Sequence, residues 1–149
     1  YNGEKFSHAS AIKRCLDYPN VSVISFGIRN ISESEIHFLK KNSSRIEIFW
    51  AKDKSKWNLN KFKRLIKNKT VYLTFDVDGL DSSIMPATGT PEPGGLLWDE
   101  TLNIIRIAAK NSKIVGADIN ELSPIKGFNS YNFLVAKLAY KILSYKFLY

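Results

Sequence analysis

Four short segments of this chain, residues 21–27, 45–50, 71–76 and 113–118, are rich in Val, Ile, Phe and Tyr with little polar alternation. That pattern predicts buried strands of a parallel sheet covered on both faces. The segments between them carry apolar residues at three- and four-residue spacing, which predicts amphipathic helices. Residues 8–17 place Ile12, Cys15 and Leu16 on one side. Ser32 and Glu35 have the spacing of a capping box, with Ile31 and Ile36 set as a hydrophobic staple. Asn58 is placed to cap a helix that buries Leu59, Phe62, Leu65 and Ile66. Asp99 opens a helix carrying Leu102, Ile105 and Ala109, and Ser130 opens one carrying Leu134, Leu138 and Ile142.

A helix followed by four strand–helix units is an α/β pattern with a parallel sheet, and right-handed crossovers place helices on both of its faces. Four strands make a small sheet, either whole or cut from a larger one. The long irregular stretch is 79–98, which holds three of the five prolines and four of the eight glycines. Loops of that length inside a compact domain are usually functional. This one leaves the carboxyl end of a predicted strand, where parallel α/β sheets build their sites.

Composition narrows the picture. The 149 residues suit one domain with a real core, and no apolar run approaches the roughly 20 residues of a membrane span. The chain opens Tyr1-Asn2-Gly3-Glu4-Lys5, with neither an initiating Met nor an apolar leader, so a processed product or a fragment is the expectation. Cys15 is the only cysteine, which excludes an intrachain disulfide and a cysteine zinc site, and a reducing, cytoplasmic setting is expected. The net charge of +8 raises a nucleic-acid reading. The lysines, however, are spread along helix faces (Lys52, Lys54, Lys56, Lys61, Lys63, Lys67, Lys69) with no basic run, which favours solvated surface.

Candidate chemistry sits at the end of the third strand. Asp76 and Asp78 are two apart on an extended segment, so both carboxylates point the same way, about 7 Å apart. They repel unless a cation lies beside them, and all-oxygen ligands suit Mg, Ca or Mn. A solvated turn is the alternative for the same residues.

The segment 74–81 (Thr-Phe-Asp-Val-Asp-Gly-Leu-Asp), followed by 86–96 (Pro-Ala-Thr-Gly-Thr-Pro-Glu-Pro-Gly-Gly-Leu), resembles the ureohydrolase family of agmatinases and arginases. The Pro-Glu-Pro-Gly-Gly form looks more like agmatinases. The resemblance implies a three-layer arginase-like α/β fold, here partial, with about four parallel strands and flanking helices. It implies that Asp76 and Asp78 are ligands of a binuclear Mn2+ centre. Residues 116–124 resemble the family's Asp-x-x-Glu-x-x-Pro segment, which would give Glu121 the substrate guanidinium, a planar group that a carboxylate can grip with two bonds. Read without the family, Glu121 is an exposed loop acid. Residues 1–10 are similar to the segment after the family's first metal motif, which assigns His8 to proton transfer or substrate contact, whereas a lone histidine is ordinarily surface. His37 reads as helix surface, and Gly27-Ile28-Arg29 matches a family segment of structural character.

The family uses six protein ligands, and its Gly-Gly-Asp-His and Asp-Ala-His-x-Asp type motifs do not occur here. Residues 1–149 therefore resemble the C-terminal part of a ureohydrolase domain, with two of six ligands. Ser82 replaces a usual proline, which is expected to loosen the loop, and residues 125–129 lack an acid often found there. The implied activity is hydrolysis of a guanidino substrate, agmatine giving putrescine and urea, with this chain inactive alone. The alternative is a non-catalytic remnant or partner domain of the same fold. A homo-oligomer is implied for the full-length protein, and neither a nucleic-acid nor a membrane partner is expected.

Overall fold

The structure is a computed structural model that describes residues 4–149. After a 3-10 turn (His8–Ser10) and α1 (Ala11–Cys15), strand and helix alternate. The order is β1 (Val23–Ile28), α2 (Glu33–Lys41), β2 (Ile46–Trp50), α3 (Leu59–Ile66), β3 (Thr70–Asp76), α4 (Trp98–Asn111), β4 (Lys113–Asn120) and α5 (Asn129–Leu148). Each strand falls within two residues of its predicted bounds. The strands do not form one four-stranded ladder. β1 pairs with β2 and β3 with β4, both parallel, as two separate two-stranded sheets. Periodicity marks strands but carries no information on which edges meet.

Helix starts follow local chemistry. The Asn58 side chain accepts the Lys61 N–H at 3.0 Å, and Glu35 reaches back to the Ser32 N–H at 2.9 Å. Ile31 and Ile36 are both exposed, so the expected staple buries little. In α1 only Leu16, at its end, is buried, while Ile12 and Cys15 are exposed. In α3, Phe62 and Ile66 are buried and Leu65 is exposed, because an eight-residue helix turns only part of its circumference inward. α4 starts at Trp98, one residue before Asp99, with Glu100 accepting the Leu97 N–H.

One core joins α3, α4 and α5 to the inward faces of the strands, through Phe62, Ile105, Ile114, Leu138 and Ile142. Phe26 and Phe49 stack across β1 and β2 at 4.3 Å, with Phe62 edge-on to Phe26 at 4.8 Å. The opposite face of β3 is open. Tyr72, Thr74 and Asp76 are exposed and alternate with half-buried Val71, Leu73 and Phe75, contrary to the expected cover on both faces. Among the described residues no helix is long and apolar enough to cross a membrane.

The 79–98 loop is folded back on itself. Leu80 and Leu96 form a parallel bridge, the Leu96 N–H donates to Gly79 O and the Asp81 N–H to Leu96 O, both at 2.9 Å. The Asp81 carboxylate closes the fold, accepting from Ser83 N and Oγ on one oxygen and from the Gly94 and Gly95 N–H groups on the other. The Ser82 N–H, which a proline would lack, donates to Glu92 O at 3.2 Å and ties the two arms of the loop. Beneath the loop, Val77, Leu80, Met85, Ala87 and Leu96 form a second core. A Cβ at Gly95 would lie 2.5 Å from Leu80 C and O, so the backbones close only over glycine.

Two outcomes follow from this loop. Gly95→Ala is expected to cost about 1–3 kcal/mol in urea denaturation, while Gly89→Ala, whose Cβ meets nothing within 4 Å, leaves the midpoint unchanged. The Ser83 hydroxyl and N–H, then the backbone N–H groups of Gly94 and Gly95, hold the Asp81 carboxyl at about 2, below its ordinary 3.8. A folded value below the unfolded one adds stability that is complete above the unfolded value and lost as pH falls through the folded one. Urea midpoints should therefore fall between about pH 4 and pH 2 more steeply in the wild type than in Asp81→Asn.

Candidate functional site

The site lies where β3 and β4 end side by side. Their register pairs Thr74 with Asp118 and Asp76 with Asn120, and Glu121 follows at once. β3 stops at Asp76. Val77–Gly79 form a 3-10 turn around fully buried Val77, so Asp78 is carried by a turn and not by strand alternation, as the sequence pattern suggested. The turn still brings the acids together. Crowding by neighbouring atoms, then the negative charges of Asp78 and Glu121 and, more weakly, Asp118, push the Asp76 carboxyl above its usual range. A hydrogen bond with the Asn120 side chain opposes that rise. Asp76 remains open to solvent on one side, so a ligand can reach it.

Three neighbours orient these acids. The Thr90 hydroxyl donates to Asp78 Oδ2 at 2.9 Å. Asp118 Oδ1 accepts from Thr74 Oγ1 at 2.7 Å and from Asn120 Nδ2 at 2.6 Å, which ties the two strand ends across the exposed face. Glu121 holds a left-handed backbone with φ 67°, uncommon for a residue with a side chain and a form of strain that clusters at functional sites. Beyond it, Ser123 N–H donates to Ala87 O at 2.9 Å and Thr88 bridges to Leu122, so the 79–98 loop and the β4 exit form one rim.

Asp78 and Glu121 thus stand close enough to Asp76 for their charges to act on it. His8 lies exposed in the opening turn, and the charges acting on Asp76 are those of the three other acids. Tyr1, Asn2 and Gly3, which share its motif, lie outside the described residues. His37 is exposed on α2. Sequence reasoning gave no role of their own to Asp118, the first residue of the Asp-x-x-Glu-x-x-Pro segment, or to Thr90 and Asp81. The signal for Asp81 was within reach, as an acid beside a Gly-Gly pair in one loop. Thr90 and Asp118 depend on register and loop closure.

The donor set tests the implied metal. Asp76 and Asp78 offer only carboxylate oxygens, suited to a hard divalent cation, and negative charge crowds them. Among the described residues no three His, Cys, Asp or Glu side chains converge to hold a metal ion. A cavity of about 480 Å3 lies at the far end of β4, lined by Lys67, Lys110, Lys113 and Lys146 without a carboxylate. Its charge is wrong for a cation or a guanidinium.

Comparison with known proteins agrees with this geometry. The model of the Arginase family matches residues 1–144. The N(1)-aminopropylagmatine ureohydrolase of Synechocystis is 36% identical over 148 residues, 97% of this chain and 47% of that protein. The agmatinase of Pyrococcus horikoshii is 34% identical over 145 residues, 96% of this chain and 49% of its own length. Among solved structures, the agmatine ureohydrolase of Thermoplasma volcanium superposes with a TM-score of 0.80 at 31% identity, covering 98% of this chain and 50% of its own. Arginase from Medicago truncatula gives 0.77 at 28% identity, over 98% and 46%. The chain spans about half the length of the curated relatives it matches. Its fold is arginase-like α/β, and the chain belongs to the Arginase family.

Proposed function

We propose that this chain supplies the substrate-facing half of a Mn2+-dependent guanidino hydrolase, with agmatine or an agmatine derivative as substrate. The observation that carries the reading is the placement of Asp76, Asp78 and Glu121 at adjoining strand ends, under a loop locked by its own hydrogen bonds. Family membership supports guanidino hydrolysis in general, and the names of the Synechocystis and Pyrococcus relatives support agmatine-type substrates.

Asp76 and Asp78 would hold the cation, with Thr90 fixing one oxygen of Asp78. A divalent pair, when bound, supplies Lewis acidity and lowers the pKa of a nearby water. Glu121 then takes the substrate guanidinium through two parallel charge-assisted bonds. Its left-handed backbone sets it apart from the strand that precedes it, directly beyond the end of β4. The guanidinium is itself a cation and is drawn to the acidic strand ends, not to the lysine-lined cavity. Collapse of the tetrahedral intermediate needs a proton at the leaving nitrogen, a role for which the resemblance to the family, and not a contact with the acids, puts forward His8 in the exposed opening turn. Two carboxylates leave most of an octahedral shell to ligands outside these residues or to water. The second reading, a non-catalytic partner domain of the fold, draws on the same shortage of converging ligands.

Urea release from agmatine and from N1-aminopropylagmatine separates these readings. The 149-residue chain alone is expected to release little or no urea with Mn2+, and Mn2+-dependent turnover by it would refute the incomplete shell. Once the remaining ligands are supplied by a longer chain or a partner, Asp76→Asn and Asp78→Asn should each lower the rate at least about 100-fold. Glu121→Gln should raise KM about tenfold or more. Absence of urea release from either substrate, with all ligands present, would favour the non-catalytic domain.

A further inference from the structure

Arg29 leaves the end of β1 and reaches the start of the candidate loop. Its side chain is 12% exposed, and its donors are spent on backbone carbonyls rather than on an acid. Nη1 donates to Gly27 O at 3.2 Å and to Gly79 O at 3.3 Å, and Nη2 donates to Asp78 O. Nε lies 3.7 Å from Glu92 Oε2, an ion pair without a hydrogen bond. Asn30 donates from Nδ2 to the same Glu92 oxygen at 2.5 Å. The approach depends on Gly27, which is bulged out of the β1–β2 register at φ +76° and has Leu96 and Gly79 O packed over its Cα.

These contacts close a ring around Asp78. Arg29 holds its carbonyl, Thr90 holds its carboxylate, and Glu92, two residues beyond Thr90, returns to Arg29 and Asn30. We propose that Arg29 is a positioning residue whose guanidinium braces both arms of the loop and so aims the Asp78 carboxylate at the end of β3. This rests on reading Asp78 as a cation ligand. The chemistry calls for arginine, since a planar fork serves three carbonyls and still faces a carboxylate. Lysine has a single point charge on a flexible stem. Groups that hydrogen-bond a metal ligand directly typically alter metal affinity 10–100-fold when removed, and Arg29 acts one bond further back, through the backbone that carries the Asp78 carboxylate.

The test compares wild type with Arg29→Met, Arg29→Lys and Glu92→Gln, by amide hydrogen exchange and by Mn2+ broadening of the amide resonances of residues 76–81. Without metal, Arg29→Met should speed exchange about tenfold or more at the Asp81, Ser82 and Leu96 amides, which close the loop, and leave α4 unchanged. It should also need at least about tenfold more Mn2+ for the same broadening. Arg29→Lys should restore only part of either property. Glu92→Gln, which frees only the far arm, should be intermediate and guards against outright unfolding of the Met variant. Unchanged exchange in both Arg29→Met and Glu92→Gln overturns the proposal. Faster exchange with unchanged Mn2+ demand also overturns it, because Arg29 would then brace the loop without aiming Asp78. If wild type shows no Mn2+ broadening at residues 76–81, the cation reading of Asp78 fails, and the proposal fails with it even where exchange shows the brace.

Discussion

Carboxylates gathered at the ends of two neighbouring strands repel one another, and most of what is distinctive in this chain serves to keep them there. Asp76 and Asp78 flank fully buried Val77, which anchors the turn in the second core. The register of β3 against β4 brings Asn120 and Glu121 alongside. Unpaired, such a cluster costs Coulomb energy that a divalent cation would reverse in sign. Burial first, then the charges of Asp78 and Glu121, push the Asp76 carboxyl above its ordinary range.

Holding the cluster falls to a loop with no helix or strand of its own. Asp81 grips the two glycines at its far end, and Leu80 and Leu96 pair beneath. Two cations then reach it from the other strand pair. Arg29 comes from the end of β1, and Lys54, just after β2, donates to Gly95 O at 2.7 Å and to Glu100 at 3.0 Å. The two sheets share no hydrogen-bonded ladder, so these side chains and the common aromatic core are what couple them. Strand topology and site geometry are thus one problem in this fold.

Much of this was legible in the sequence. Strand positions, the Asn58 cap and the inward stripes of α4 and α5 followed from apolar spacing and capping chemistry, because those are local. The family motifs located Asp76, Asp78 and Glu121. What escaped was non-local. The split into two strand pairs, the open face at Tyr72 and the exposure of Leu65 all depend on which surfaces meet. The carbonyls that Arg29 binds lie 49 and 50 residues away, contacts to which sequence patterns are blind.

The central claim is that Asp76 and Asp78 form one side of a divalent cation site. A crystal of this protein equilibrated with Mn2+ and measured for anomalous scattering tests it directly. A Mn2+ peak is expected within about 2.0–2.6 Å of carboxylate oxygens from both residues, with Glu121 outside the shell. No peak there, or one bound through Glu121 without Asp78, would contradict it.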